Sequence, residues 1–357
     1  MTDLFLQIPV LGLEFDRLVV LVIAAFAGGA FGAAIGALPA FIFTGFVVFL
    51  GEGLAILQRN VSGLELVPQG ELATGVTGVI GFGVVTGPHI SFAGGVAAAA
   101  YAAKRYPEMK PEGWAYHFGK NIGFALGPKP DILAVGGLFG VLGLLVTRLV
   151  GGLGLPTDGI AVSVFVTAIV ARVAFGYSIL GQVGGTSLFD MSPFEREEPR
   201  AAPDGGTVES RLATEPWLPH QYDWGGVAAL GVVTGVLSGY IWLETGSVFM
   251  GYAISAISLL FLNLGVDRIP VTHHMTLLGS VGAILVMPAL GSEPAALLAA
   301  GALGGITGVV AEVSQRVFYS HGETHVDPPA ISIAVVMLAV GVLYLLGLLP
   351  NAGYLGL

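Results

Sequence analysis

Apolar stretches of 18 or more residues recur along almost the whole of this 357-residue chain, and that feature restricts what it can fold into. Each is long enough to cross a bilayer core of about 30 Å. Hydrocarbon offers no water to backbone N–H and C=O groups, so such stretches must close their hydrogen bonds internally, as helices. Only 11% of the residues are charged, against roughly a quarter in a soluble domain. A water-soluble enzyme is thereby excluded, and the expected fold class is an all-α polytopic integral membrane protein.

Ten spans can be drawn: 18–38, 39–57, 73–103, 131–150 and 158–180, then 224–243, 246–264, 270–288, 294–316 and 329–349. The first two form one apolar run split at Gly36-Ala37-Leu38-Pro39. Proline suits the first turn of a new helix, so a hairpin is predicted there. At 1.5 Å per residue the third stretch is roughly 46 Å long, too much for one straight crossing. Gly87-Pro88 interrupts it, which predicts either a kinked helix or a re-entrant half-helix followed by a span. Residues 181–222, rich in Pro, Glu, Arg and Gly, are predicted to be a flexible polar linker between a first repeat (1–180) and a second (223–357). The segment Met1 to Asp16 lacks a basic stretch ahead of its apolar residues, so no cleavable signal is expected.

The two halves carry matching motifs in the same order. His89 with Gly94-Gly95-Val96 is echoed by His274 with Gly279-Ser280-Val281, and Gly136-Gly137-Leu138-Phe139-Gly140 by Gly304-Gly305-Ile306-Thr307-Gly308. Asp158 with Ala161-Val162-Ser163-Val164 is echoed by Asp327 with Ala330-Ile331-Ser332-Ile333. Five spans is an odd number, so a second copy enters the membrane from the opposite face. Two inverted five-helix repeats with broken third and eighth spans are predicted, an architecture that places a site near the midplane where interrupted helices meet. Ten loop Lys and Arg residues fall on one side and Arg17, Arg59 and Arg148 on the other. The richer side is expected to be cytoplasmic, with both termini outside in a cell-membrane protein.

The predicted substrate-binding residues lie at the two interruptions: Thr86, Pro88, His89 and Ser91 in one, Thr272, His273, His274 and Thr276 in the other. Polar groups at membrane depth usually face the bundle interior or a watery cavity. Histidine titrates near neutral pH and can relay protons. Arg172, expected near the middle of the fifth span, joins them as an anion-coordinating group, with a buried ion pair to Glu312 as its competing reading. Glu312 also stands one helical turn from Arg316, a spacing that suits an exposed local pair. Asp158, Asp327 and Asp131 begin spans and are predicted helix caps. His321-Gly322-Glu323-Thr324-His325-Val326-Asp327 alternates metal-ligand types but reads first as a solvated turn. The aromatic and basic residues of 104–130 suit a helix in the headgroup layer, or a lid over a vestibule.

These features predict a secondary transporter or channel-like permease for a small polar or anionic solute, with histidine-mediated proton coupling as an option. A non-catalytic membrane subunit of a larger complex is the alternative, and an intramembrane metalloenzyme a further one. No catalytic residue, cofactor or metal is predicted; the chain contains no cysteine. Its expected partners are a small solute, the lipid bilayer and, through Gly-rich spans, further copies of itself. A net charge of −10 disfavours nucleic acid.

Overall fold

The computed structural model describes residues 7–8, 13–60, 74–202 and 206–357. Most of the N-terminal segment on which the signal-peptide expectation rests, and the start of the 73–103 stretch, lie outside them. Helices α1 (Phe15–Ile35) and α2 (Ala37–Asn60) form the first hairpin. The chain turns at Gly36, not at Pro39, which sits in the first turn of α2. Gly36 has φ of +95°, and a Cβ there would stand 3.0 Å from the Phe124 carbonyl oxygen. Glycine alone tolerates both conditions.

The third apolar stretch is built from wide π-type turns at Thr74–Gly81 and Pro88–Phe92, followed by α3 (Ala93–Arg105). It runs antiparallel to α2 in a single pass. Thr77 donates to Glu52 near the end of α2 (3.0 Å). The Thr44 hydroxyl donates to the Thr86 carbonyl near the middle, and Gly95 lies against Ala37 at its start. Helices α4 (Pro130–Gly152) and α5 (Gly159–Ala174) complete this half. A short helix, α6 (Ser192–Glu195), leads to α7 (Trp224–Thr245), α8 (Met250–Asn263), α9 (His273–Leu290), α10 (Glu293–Phe318) and α11 (Pro328–Leu345). Among the described residues seven helices (α1, α2, α4, α7, α9, α10 and α11) are long and apolar enough to cross a membrane; α5 and α8 are shorter apolar helices. The protein is all-α, with the helix set of a multi-pass membrane protein.

Glycine decides how these helices meet. In lipid, helices gain little from hiding apolar side chains, and close backbone approach supplies the attraction instead. Helix α1 packs on α4 and α3, and α7 packs on α10 and α9. At the first crossing a Cβ on Gly29 would lie 2.2 Å from the Gly136 carbonyl oxygen; at the second, one on Gly304 would lie 2.3 Å from that of Gly231. The bundle closes where α2 meets α8 and α5 meets α11.

Several expectations are corrected here. The fifth helix ends at Ala174 rather than 180, so Arg172 lies in its last turn and not at mid-span. There its fully buried guanidinium is committed to the chain. Nε donates to Thr324 Oγ1 (2.8 Å), Nη2 to the Thr324 carbonyl (2.6 Å), and Nη1 to the carbonyls of Phe318 (2.7 Å) and Ile179. Arg172 therefore clasps the 318–324 loop, and Glu312 is not its partner: that carboxylate takes Arg316 at 2.6 Å, in a pair that is buried rather than exposed. The segment expected to be a flexible linker packs onto the bundle. It forms a hairpin of Pro199–Ala201 with Thr207–Leu212 and buries Arg200, Arg211 and Glu215; residues 203–205 lie outside the described set. The 104–130 loop carries 3-10 turns at Pro107–Met109 and Phe118–Lys120 rather than a headgroup helix. Asp158 and Asp327 do cap their helices, accepting from the N–H groups of Ala161 (2.8 Å) and Ala330 (2.9 Å). Asp131 falls inside the first turn of α4 and instead accepts the hydroxyls of Tyr101 (3.0 Å) and Tyr106 (2.8 Å).

Gly304→Leu is expected to abolish recovery of monodisperse protein on size exclusion, since backbone stands where its side chain must go. Gly151→Ala, with no atom within 4 Å of the added carbon, should leave the elution profile and thermal midpoint unchanged. Arg172→Lys keeps the charge but not the planar fork, and should cost about 2–3 kcal/mol, read as a lowered thermal midpoint.

Candidate functional site

A cavity of about 1230 Å³ opens inside the bundle. Its wall is drawn from both halves of the chain: α2, α5, α8, α9 and α11, the 113–124 loop, and the C-terminal residues 354–357. Much of it is aromatic. The His273 ring lies 4.6 Å from Phe41 and 5.7 Å from Tyr252, and Phe82 stands 5.7 Å from Tyr252 on the same wall. Phe92 meets the His325 ring edge-on at 5.7 Å.

The helix-capping acids mark two regions of this space, because α5 and α11 run past each other in opposite directions. Thr157, just before α5, donates to the Ala334 carbonyl of α11 at 2.7 Å. Asp158 uses one oxygen as a cap and accepts the Tyr354 hydroxyl with the other (2.8 Å). Asp327 likewise caps with one oxygen, while its other meets His325 Nε2 at 3.2 Å. Both acids line the cavity, together with Tyr354, Tyr252, His273 and His325.

The end bounded by loops has a different character. Lys120 Nζ pairs with Glu215 at 2.7 Å, both side chains fully buried, and Arg211 reaches the same carboxylate at 2.8 Å. Arg211 also approaches the partly exposed Glu323 at 3.6 Å. Burial pulls the Lys120 ammonium well below its ordinary range, against the pull of Glu215. Burial opposes the Glu215 charge too, yet Lys120 and Arg211 outweigh it and hold the carboxyl low. Burial also raises the Tyr116 hydroxyl, which has no partner among the described residues. Lys120, Tyr116 and Tyr319 line the cavity here, with the ammonium 4.5 Å from the Tyr319 ring centre.

The nine predicted site residues separate. Pro88 and His273 line the cavity; Thr86, His89, Ser91, Arg172, Thr272, His274 and Thr276 are not part of its wall. The threonines and serine are satisfied locally. Thr86 donates to the carbonyls of Ile80 (2.9 Å) and Gly81 (3.2 Å), and Ser91 contacts that of Gly87 at 3.4 Å. Thr272 meets Ser255 at 2.6 Å, and Thr276 donates to the His273 carbonyl at 2.9 Å. His89 and His274, expected to share the site, are buried away from the cavity, whereas His273, His220 and His325 line it. His89 and His273 leave Nδ1 unpartnered, and His274 leaves both nitrogens so. The 321–327 sequence diverges rather than converging on a metal. His321 takes Gly184 N–H (3.3 Å) and the Leu188 carbonyl (3.1 Å), and Glu323 turns to Arg211. Among the described residues no three such groups come together.

Sequence reasoning missed Tyr252 and Tyr354, read Lys120 and Tyr116 as part of a headgroup helix or lid, and read Asp158 and Asp327 as caps ahead of gating or coupling carboxylates. The matched Asp motifs were the available signal for the acids; Tyr252 sits inside an apolar span with nothing to single it out. No curated protein and no solved structure matches this chain. A family model described as a family of unknown function, DUF7973, matches residues 11–357, nearly the whole length, and the chain belongs to that family.

Proposed function

We propose that this protein is a permease of the secondary-transporter type, moving a small polar or anionic solute through the central cavity between two inverted five-helix halves. The observation that carries the reading is the cavity itself, walled by both halves and holding the equivalent capping acids Asp158 and Asp327. Support for the duplication comes from helix partners. The α1–α4, α1–α3 and α4–α5 contacts have counterparts in α7–α10, α7–α9 and α10–α11, while α2–α8 and α5–α11 join equivalent elements. Matched motifs also do matched work: Gly94 packs on Gly29, and Gly279 packs on Gly235.

In this reading the non-helical residues 82–87 and the start of α9 are the interruptions of the third and eighth spans. They let each half flex about the cavity. His273 and the His325–Asp327 pair are the candidate proton carriers, being titratable groups on the cavity wall. The Lys- and Arg-rich loops face the cytoplasm and the termini face outward. The solute enters against the aromatic wall, and relative rocking of the halves exposes it to each side in turn.

Proteoliposomes carrying the purified protein test this by uptake of radiolabelled acetate, phenylacetate, glycerol and urea, against empty vesicles. A protein-dependent, saturable flux of at least one solute is expected. His273→Phe keeps the ring packing on Phe41 but removes the imidazole. It should cut that flux about tenfold or more, the scale of losing a positioned proton-transfer group. No protein-dependent flux of any of the four would overturn the reading.

A further inference from the structure

The cavity's two regions differ in charge, and that asymmetry bears on what the cavity holds. Around its loop end stand Lys120, Arg200 and Arg211, all buried, against one fully buried carboxylate, Glu215. Arg172, also buried, adds a fourth basic group nearby; Glu323, partly exposed, and Asp327, on the cavity wall, are further acids. A buried cluster of charged groups is costly unless its hydrogen-bonding groups are matched. The donors there are not all spent. Lys120 carries three N–H bonds and gives one to Glu215. The Tyr116 hydroxyl has no partner among the described residues. An unsatisfied buried donor costs about 1–3 kcal/mol, and ordinary cores rarely keep one. Elsewhere the wall of the same cavity is formed by Phe41, Phe92, Tyr252 and Leu277, which offer apolar contact and almost no hydrogen bonding.

We infer that the loop end of the cavity is a head-group subsite for an amphipathic organic anion, whose carboxylate faces Lys120 and Tyr116 and whose apolar body lies along the aromatic wall. The anion takes the unspent donors of Lys120 and Tyr116, while the rings bury its body at about 25 cal/mol per Å² of apolar surface. This deepens the permease reading and rests on it for the solute's onward path, but binding alone can test it.

The protein in lipid nanodiscs is titrated calorimetrically with acetate, phenylacetate and 4-phenylbutyrate, with phenylacetamide and phenethylamine as neutral and cationic counterparts. Affinity should rise from acetate to 4-phenylbutyrate, and phenylacetate should bind about tenfold or more tightly than its amide, the worth of a charge-assisted hydrogen bond. The inference is overturned by amide or amine binding as tightly as the carboxylate, by inorganic phosphate competing equally well, or by no saturable heat with any carboxylate. Lys120→Gln strands Glu215 and can unfold the loop, so Tyr116→Phe is the deciding variant. Removing only the free hydroxyl should weaken phenylacetate about tenfold at an unchanged thermal midpoint, and wild-type affinity would exclude the assignment. Carboxylate binding without flux would keep the subsite and remove the permease. Flux with no carboxylate preference would do the reverse.

Discussion

Backbone-to-backbone contact at glycine is the constraint on which the rest of this structure depends. A soluble core is driven together because apolar surface leaves water, but between lipid-embedded helices that drive is absent. What holds them is dispersion over short distances, which falls away quickly once a gap of an ångström opens. At Gly29–Gly136 and Gly231–Gly304 the helices approach so closely that even one added carbon would collide with a carbonyl. Large side chains are therefore displaced to the outside, where Phe43, Leu50, Leu138 and Leu298 face the surroundings as lipid-facing groups do. Tight pairs of this kind leave the space between them less filled, and the cavity occupies it.

Charge is handled in the opposite way, by concentration. At the loop end the chain gathers Lys120, Arg200, Arg211, Glu215 and, from the last turn of α5, Arg172 into one buried layer that ties three loops together. Isolated, each charge would carry a desolvation penalty of several kcal/mol; paired and bonded to carbonyls, the group becomes tolerable and geometrically strict. The layer fixes the 113–124, 207–218 and 319–327 segments against each other, and residues of all three line the loop end of the cavity.

How much of this could be read from the sequence follows from what each signal encodes. Helix existence was legible, because span length and apolarity are fixed by bilayer thickness. The turn at Gly36 and the caps at Asp158 and Asp327 were legible because each answers a local backbone need. The cavity was not. His89 and His274 are polar residues beside proline or glycine in apolar stretches, just as His273 is, and only packing decides which imidazole reaches the open space. Arg172 was misplaced because the end of α5 is set by contact with the 318–324 loop, far away in sequence. The 181–222 segment looked like a linker because its composition is polar; its charges are instead neutralised by partners such as Lys120, which composition cannot pair.

The two capping acids show how a structural device and a functional one can share a side chain. An aspartate at a helix start satisfies free N–H groups with one oxygen, and the second oxygen is spare. In Asp158 that oxygen holds a tyrosine hydroxyl, and in Asp327 it meets an imidazole. The same cap at two oppositely directed helices therefore yields unlike chemistry at its two sites. One structural need, met the same way at both helix starts, thus leaves the two regions of the cavity with different partners on their carboxylates.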